Sequence, residues 1–156
     1  MRDRSLRAEF VARGVGLGAL ALILGALGFQ YIGGIAPCEM CHWQRWPHIA
    51  AAIFGLVVVG FARDKARQLA WLCILLVLVS GLIGLYQSGM QWGILPGPSS
   101  CSGHRFILGS NMVPDVQCDV VTPDQIVFGL SLASYNAIFS LLVAVLAGAA
   151  LLRGRR

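Results

Sequence analysis

Residues 14–36 read GVGLGALALILGALGFQYIGGIA, a stretch of 23 residues without a charged side chain. Its one strongly polar residue is Gln30. A helix needs about 20 predominantly apolar residues to cross the hydrocarbon core of a bilayer, with a range of about 17–25. The stretch therefore predicts a transmembrane helix. The alternative is a cleaved signal peptide, but the apolar run exceeds the usual length of its hydrophobic region and no clean A-x-A cleavage site precedes Pro37, so we interpret it as a retained span.

Three further stretches lack charged residues over a comparable length. The composition agrees with a membrane protein, since 57% of the 156 residues are hydrophobic and only 12% are charged. A soluble domain needs more polar material for its surface. The sequence predicts an all-α membrane protein, a four-transmembrane-helix bundle that forms a single domain over residues 1–156. Its spans are expected at about 14–36, 46–62, 69–86 and 126–152.

Basic residues are distributed unequally between the two sides of this bundle. Ten of the 12 lie before span 1, between spans 2 and 3, or after span 4, and only Arg45 and Arg105 lie on the other side. Because basic residues mark the cytoplasmic side, both termini are expected in the cytoplasm. Residues 37–45 and 87–125 then form two outward loops. This topology accounts for the net charge of +5, so we expect no nucleic-acid partner.

Four of the five cysteines fall in the two outward loops, and Cys73 falls inside span 3. Cysteines that face an oxidising compartment tend to form disulfides, and four of them allow three connectivities. Cys101 and Cys118 suit a structural staple. Cys38 and Cys41 do not, because a bridge over two intervening residues closes too small a loop to add much stability. The C-x-x-C spacing favours a reactive couple instead.

Two other chemistries use the same residues. Cys38-Glu-Met-Cys41-His42 matches the C-x-x-C-H motif that attaches a c-type haem. A zinc site is the other alternative, with Cys38, Cys41, Cys101 and His104 as ligands of suitable type. The haem alternative leaves Cys101 and Cys118 without a role, and the zinc alternative leaves Cys118 without a partner. Two disulfides that exchange electrons are therefore the favoured interpretation.

Arg45 follows Cys41 by four residues. If a helix has begun by that point, the guanidinium and the sulfur lie on one helix face. The alternative is an arginine that extends from a helix end toward water. Disulfide exchange also needs a final electron acceptor. The sequence has no nucleotide-binding loop or flavin motif, so we expect a quinone dissolved in the bilayer to accept the electrons.

The sequence resembles the DsbB family, the disulfide bond formation protein B of bacterial inner membranes. The resemblance covers nearly the whole chain and rests on GFQYIGGIAPCEMC, GLYQSGMQWG and FGLSLASYNA, together with the arginine four residues after the C-x-x-C and the later outward cysteine pair. It implies an enzyme of the inner membrane whose redox-active loops face the periplasm. Such an enzyme reoxidises a thioredoxin-like oxidase of the DsbA type and passes the electrons to membrane quinone, ubiquinone or menaquinone.

The resemblance also implies roles for individual residues. Cys38 and Cys41 take the place of the pair nearest the quinone, with Cys41 as the thiolate that interacts with the ring. Cys101 takes the place of the cysteine that forms a mixed disulfide with the partner, and Cys118 is then released to attack Cys38. Arg45, and more weakly Gln30, are implied in quinone binding.

The sequence departs from well-known members at two places. They carry a histidine shortly after the tyrosine that corresponds to Tyr86, whereas Gln87 and Ser88 follow it here. The loop between Cys101 and Cys118 is also shorter. Residues 106–108, with Met112 and Val113, suit either a short amphipathic element at the membrane surface or an irregular loop with apolar anchors.

Overall fold

The computed structural model describes residues 2–98, 101 and 117–153. Four helices in this part of the chain are long and apolar enough to cross a membrane, which confirms the predicted four-helix membrane bundle. The segment at residues 106–113 that was predicted to be amphipathic or irregular lies outside the described residues. The helices are α1 (Arg2–Tyr31), α2 (Glu39–Phe61), α3 (Ala66–Gln91) and α4 (Leu132–Arg153).

Helices α1 to α3 begin ahead of the charge-free stretches that predicted the spans, whereas α1 ends at Tyr31, five residues before the predicted end of span 1. Helix α2 begins at Glu39, ahead of the span expected from residue 46, and α3 continues to Gln91. A charge-free stretch reports only the part of a helix that matches hydrocarbon, and the helical hydrogen bonds continue past it. This extension places Cys41 and Arg45 inside the first turns of α2.

The fourth helix begins later than its apolar stretch. Residues Ile126–Val127 and Leu130–Ser131 pair as a short antiparallel hairpin, β1 and β2. Phe128 and Gly129 form its turn with φ angles of 47° and 83°. Two successive positive φ angles suit a tight hairpin turn and end any helix, so α4 starts only at Leu132.

Helix α2 is irregular where α1 approaches it most closely. Its regular part ends at Ile53, and a π-helical turn follows at Phe54–Val58. Gly55 lies in this turn, and a Cβ atom there would collide with the Ala12 carbonyl oxygen of α1 and lie 3.0 Å from the Gly16 Cα atom. Only glycine permits this contact, because the two backbones touch directly.

The two halves of the bundle are packed differently. Ser5 Oγ donates to the Arg63 carbonyl at 3.0 Å, so the start of α1 lies beside the α2–α3 turn. This end of the bundle is filled by small apolar side chains of all four helices, including Ala12, Val15 and Val59. The opposite end, which carries the cysteines, buries polar side chains: Gln44, His48, Ser80, Gln87, Ser88, Ser131, Ser134 and Ser140.

Candidate functional site

Cys38 and Cys41 form the start of helix α2. Cys38 is the N-cap residue, and its sulfur accepts a hydrogen bond from the Cys41 backbone N–H at 3.3 Å. The two sulfurs are 2.7 Å apart and both are free thiols. The pKa of Cys38 is raised above its usual value, first by the side-chain hydrogen bond with Cys41 and then by burial. Both effects disfavour a thiolate at Cys38.

Cys101 and Cys118 form a disulfide that packs against the first pair. Both are buried, and the Cys118 N–H donates to the Cys101 carbonyl at 2.9 Å. All four outward cysteines belong to one cluster with Met40 and Met90. The structure thus contains the Cys101–Cys118 bridge and brings both cysteine pairs together at one end of the bundle.

Gln87 of α3 connects the two pairs. Its Nε2 atom lies 3.2 Å from the Cys38 sulfur and 3.4 Å from the Cys118 carbonyl oxygen. It also lies 3.9 Å from the Cys41 sulfur. The sequence analysis missed this residue because the third span was expected to end at Tyr86. A signal was nevertheless present, since Gln44, Gln87 and Asn136 are amide side chains near the same end of three different helices.

Arg45 lies one helical turn beyond Cys41 on α2. It is partly buried, and its Nη1 atom donates to the Gln30 Oε1 atom of α1 at 2.6 Å. The guanidinium is therefore held across the bundle, unlike an arginine that extends freely from a helix end. Gln30 is thereby placed against Arg45, and the two residues form one unit between α1 and α2.

A cavity of about 410 Å³ opens beside these residues, between α1 and α4. Apolar side chains that include Leu22, Phe29 and Phe139 line most of it, and Cys38, Cys41 and Arg45 lie on its wall. Its volume falls within the range of small-molecule sites. An apolar cavity with thiols and one cation at its wall suits a largely apolar ligand that carries acceptor oxygens.

The residues that the haem and zinc alternatives would use lie in different surroundings. His42 is exposed, and Cys101 is tied to Cys118 in a disulfide and so is not a thiolate ligand. His104 lies outside the described residues. Within residues 2–98, 101 and 117–153, no three His, Cys, Asp or Glu side chains are grouped so that they could hold a metal ion.

Fold and site together define a multi-pass membrane protein with thiol–disulfide chemistry. The family model described as "Disulfide bond formation protein DsbB" matches residues 8–150. Disulfide bond formation protein B of Aromatoleum aromaticum is 34% identical, over 88% of this chain and 91% of that protein. Disulfide bond formation protein B 1 of Pseudomonas savastanoi pv. phaseolicola is 35% identical, over 91% and 88%. No solved structure gives a significant match.

The chain belongs to the DsbB family, as the sequence motifs indicated. It is accordingly a membrane oxidoreductase of disulfide bond formation, and such a role implies a partner in that process.

Proposed function

We propose that this protein reoxidises a periplasmic thioredoxin-like oxidase of the DsbA type and passes the electrons to ubiquinone or menaquinone in the bacterial inner membrane. The observation that carries the proposal is the position of the inner thiol pair. Cys38 and Cys41 contact the outer disulfide through one buried cluster and also line the apolar cavity. Electrons that arrive at the outer pair have a direct route to a ligand held between α1 and α4.

The exchange steps move two electrons from the partner dithiol to an oxidised Cys38–Cys41 pair and need no other reactant. A partner thiolate attacks Cys101, the Cys101–Cys118 bond breaks, and Cys118 leaves as a thiolate. Cys118 then attacks Cys38 of an oxidised Cys38–Cys41 pair, and Cys41 leaves as a thiolate. The second partner thiol releases the oxidised partner and frees Cys101. Cys101 attacks Cys118, which restores the outer disulfide and expels Cys38 as a thiolate.

The cavity residues fit a quinone. The apolar wall suits the ring and tail, and a guanidinium at the wall can donate to a ring oxygen. A bound quinone supplies a two-electron, two-proton acceptor for the reduced inner pair. Arg45 stabilises negative charge on Cys41, one turn away on the same helix face. Gln30 fixes the direction of the guanidinium through the hydrogen bond of 2.6 Å.

The orientation in the membrane follows from charge. Arg63, Lys65 and Arg67 lie at or near the α2–α3 turn, beside the start of α1 and away from the cysteines. With basic residues in the cytoplasm, the cysteine cluster faces the periplasm.

The test is quinone reduction by the purified full-length protein in lipid nanodiscs, with a reduced thioredoxin-fold dithiol oxidase as donor. We expect one quinone reduced for each partner disulfide formed, measured by quinone absorbance and by thiol titration. Partner oxidation without quinone loss would contradict the proposed acceptor. Quinone reduction that proceeds equally with a Cys38→Ala variant would contradict the proposed route.

A further inference from the structure

Three amide side chains from three helices form a continuous line that ends at a reactive sulfur. Asn136 Nδ2 of α4 donates to Gln44 Oε1 of α2 at 2.7 Å. Gln44 Nε2 donates to Gln87 Oε1 of α3 at 2.6 Å. Gln87 Nε2 in turn donates to the Cys38 sulfur at 3.2 Å. We call Asn136, Gln44 and Gln87 the amide chain.

The direction of the amide chain is fixed at both ends by backbone carbonyls, which can only accept. Asn136 Nδ2 donates to the Ser80 carbonyl at 3.3 Å, and Gln87 Nε2 donates to the Cys118 carbonyl at 3.4 Å. Reversing any one amide would place two oxygens or two NH₂ groups face to face. The N–H at the Cys38 end is therefore required by the whole network, although amide oxygen and nitrogen atoms are otherwise hard to distinguish.

The burial of these residues adds to the cost of any reversal. Gln44 is 6% exposed and Gln87 is 2% exposed. A buried amide group that loses its partner incurs its full desolvation penalty, so each amide holds the next in place. Aligned hydrogen bonds in a low-dielectric interior also polarise one another, which strengthens the last donor.

We propose that Gln87 is a further catalytic residue of the exchange reaction, and that Gln44 and Asn136 are positioning residues that hold its N–H toward Cys38. The inference rests on the proposed function. The step that uses it is the attack of the Cys101 thiolate on Cys118 of a Cys38–Cys118 disulfide. The Cys101–Cys118 bond forms, the Cys38–Cys118 bond breaks, and the electron pair goes to the Cys38 sulfur. Gln87 Nε2 donates a hydrogen bond to this sulfur and stabilises its negative charge.

The surroundings of Cys38 explain why a hydrogen bond from Gln87 Nε2 is needed. The hydrogen bond with Cys41 and burial both raise the pKa of Cys38, and the hydrogen bond from Gln87 lowers it. Cys38 is thus a poor leaving group without the amide. The same Nε2 atom also holds the Cys118 carbonyl, so one donor both stabilises the sulfur that leaves and keeps the sulfur under attack beside it.

The test is the pH dependence of Cys38 alkylation, measured by mass spectrometry on the full-length protein. A Cys41→Ser background, kept reduced and free of quinone, removes the competing thiol of the inner pair. Removal of one hydrogen bond to a charged acceptor lowers the thiolate fraction roughly tenfold. We therefore expect Gln87→Leu to move the midpoint of the alkylation curve up by about one pH unit.

Two further variants separate the amide chain from general packing. Gln91→Leu is the matched control, because Gln91 lies one turn further on α3 and donates to the same Cys118 carbonyl at 3.5 Å. We expect it to leave the midpoint unchanged. Asn136→Leu leaves Gln87 in place but removes the donor that orients the Gln44 amide. We therefore expect a smaller upward shift of the alkylation midpoint. It also serves if Gln87→Leu does not fold.

The outcomes are decisive in both directions. An unshifted midpoint in Gln87→Leu, or an equal shift in Gln91→Leu, would overturn the role of Gln87. A shifted midpoint in Gln87→Leu alone would overturn the positioning role of Asn136. Because no quinone or partner is present, this result is independent of the quinone-reduction assay, so a failure of the role of Gln87 can be distinguished from a failure of the proposed function.

Discussion

The two cysteine pairs share one buried cluster but are held by different kinds of structure. The inner pair starts a helix, so the Cys38 cap and the first turn of α2 fix both sulfurs, and Gln87 of α3 contacts them. The outer pair joins chain segments outside the four helices through its own disulfide. Helical spacing places Arg45 one turn from Cys41, and among the described residues the cavity wall includes the inner pair but not Cys101 or Cys118. The structural elements around a cysteine pair, more than the disulfide itself, therefore decide which electron donor or acceptor can reach it.

The largest expected effect is a complete division of labour between the pairs. Cys101→Ala should abolish the mixed disulfide with the partner and leave Cys38 and Cys41 able to react with quinone, because in the proposed relay the outer pair is the one that reacts with the soluble partner. Cys38→Ala should abolish quinone reduction. Non-reducing gel electrophoresis measures trapping of the partner in Cys101→Ala. Quinone absorbance measures quinone reduction in Cys38→Ala. Partner trapping that needed Cys38 but not Cys101 would reverse the order of the relay.

The next prediction tests whether both pairs face one compartment. Lys65 lies in the exposed α2–α3 turn, and Ile94 is exposed just after α3 at the cysteine end. An engineered cysteine at Lys65 should react with an impermeant maleimide only after the inner membrane is opened, and one at Ile94 should react in intact spheroplasts. The parent protein without either substitution is the control. Labelling of position 65 from the periplasmic side would contradict the orientation and the redox proposal with it.

Part of this comparison was predictable from sequence. Uninterrupted apolar length predicts each helix, since bilayer thickness sets the same requirement on every span. The C-x-x-C spacing predicts contact between Cys38 and Cys41, because both lie within one helical turn. The contact of Gln87 with Cys38 was not predictable in this way. It joins residues 49 positions apart, and only helix packing brings them together. The late start of α4 was also missed, because residues 126–131 are apolar in the hairpin as they would be in a span.

Arg45 offers a graded test of what distinguishes the inner pair. Arg45→Ala should raise the apparent quinone KM about tenfold or more, because a charged donor near the thiolate contributes roughly 1.5–3 kcal/mol. Arg45→Lys keeps the charge but loses the planar fork of donors, so its apparent quinone KM should lie between those of the wild-type protein and Arg45→Ala. Trapping of the partner through Cys101 should be unchanged in both variants. Steady-state kinetics against quinone concentration measure the effect, and wild-type kinetics in Arg45→Ala would contradict it.

The smallest expected effect concerns Gln30, which acts on the inner pair only through Arg45. Its Oε1 atom accepts from Arg45 Nη1 at 2.6 Å, so Gln30→Leu leaves the positive charge in place and removes one contact that orients it. A single hydrogen bond contributes about 0.5–1.5 kcal/mol net, so the quinone KM should rise by about two- to tenfold and by less than in Arg45→Ala. Gln68→Leu, an exposed glutamine near the start of α3, is the matched control and should leave the KM unchanged. Among the described residues, Gln30 is linked to the inner pair through Arg45, so Gln30→Leu in an Arg45→Ala background should add nothing further. An additive loss in the double variant would mean that Gln30 contacts the quinone itself.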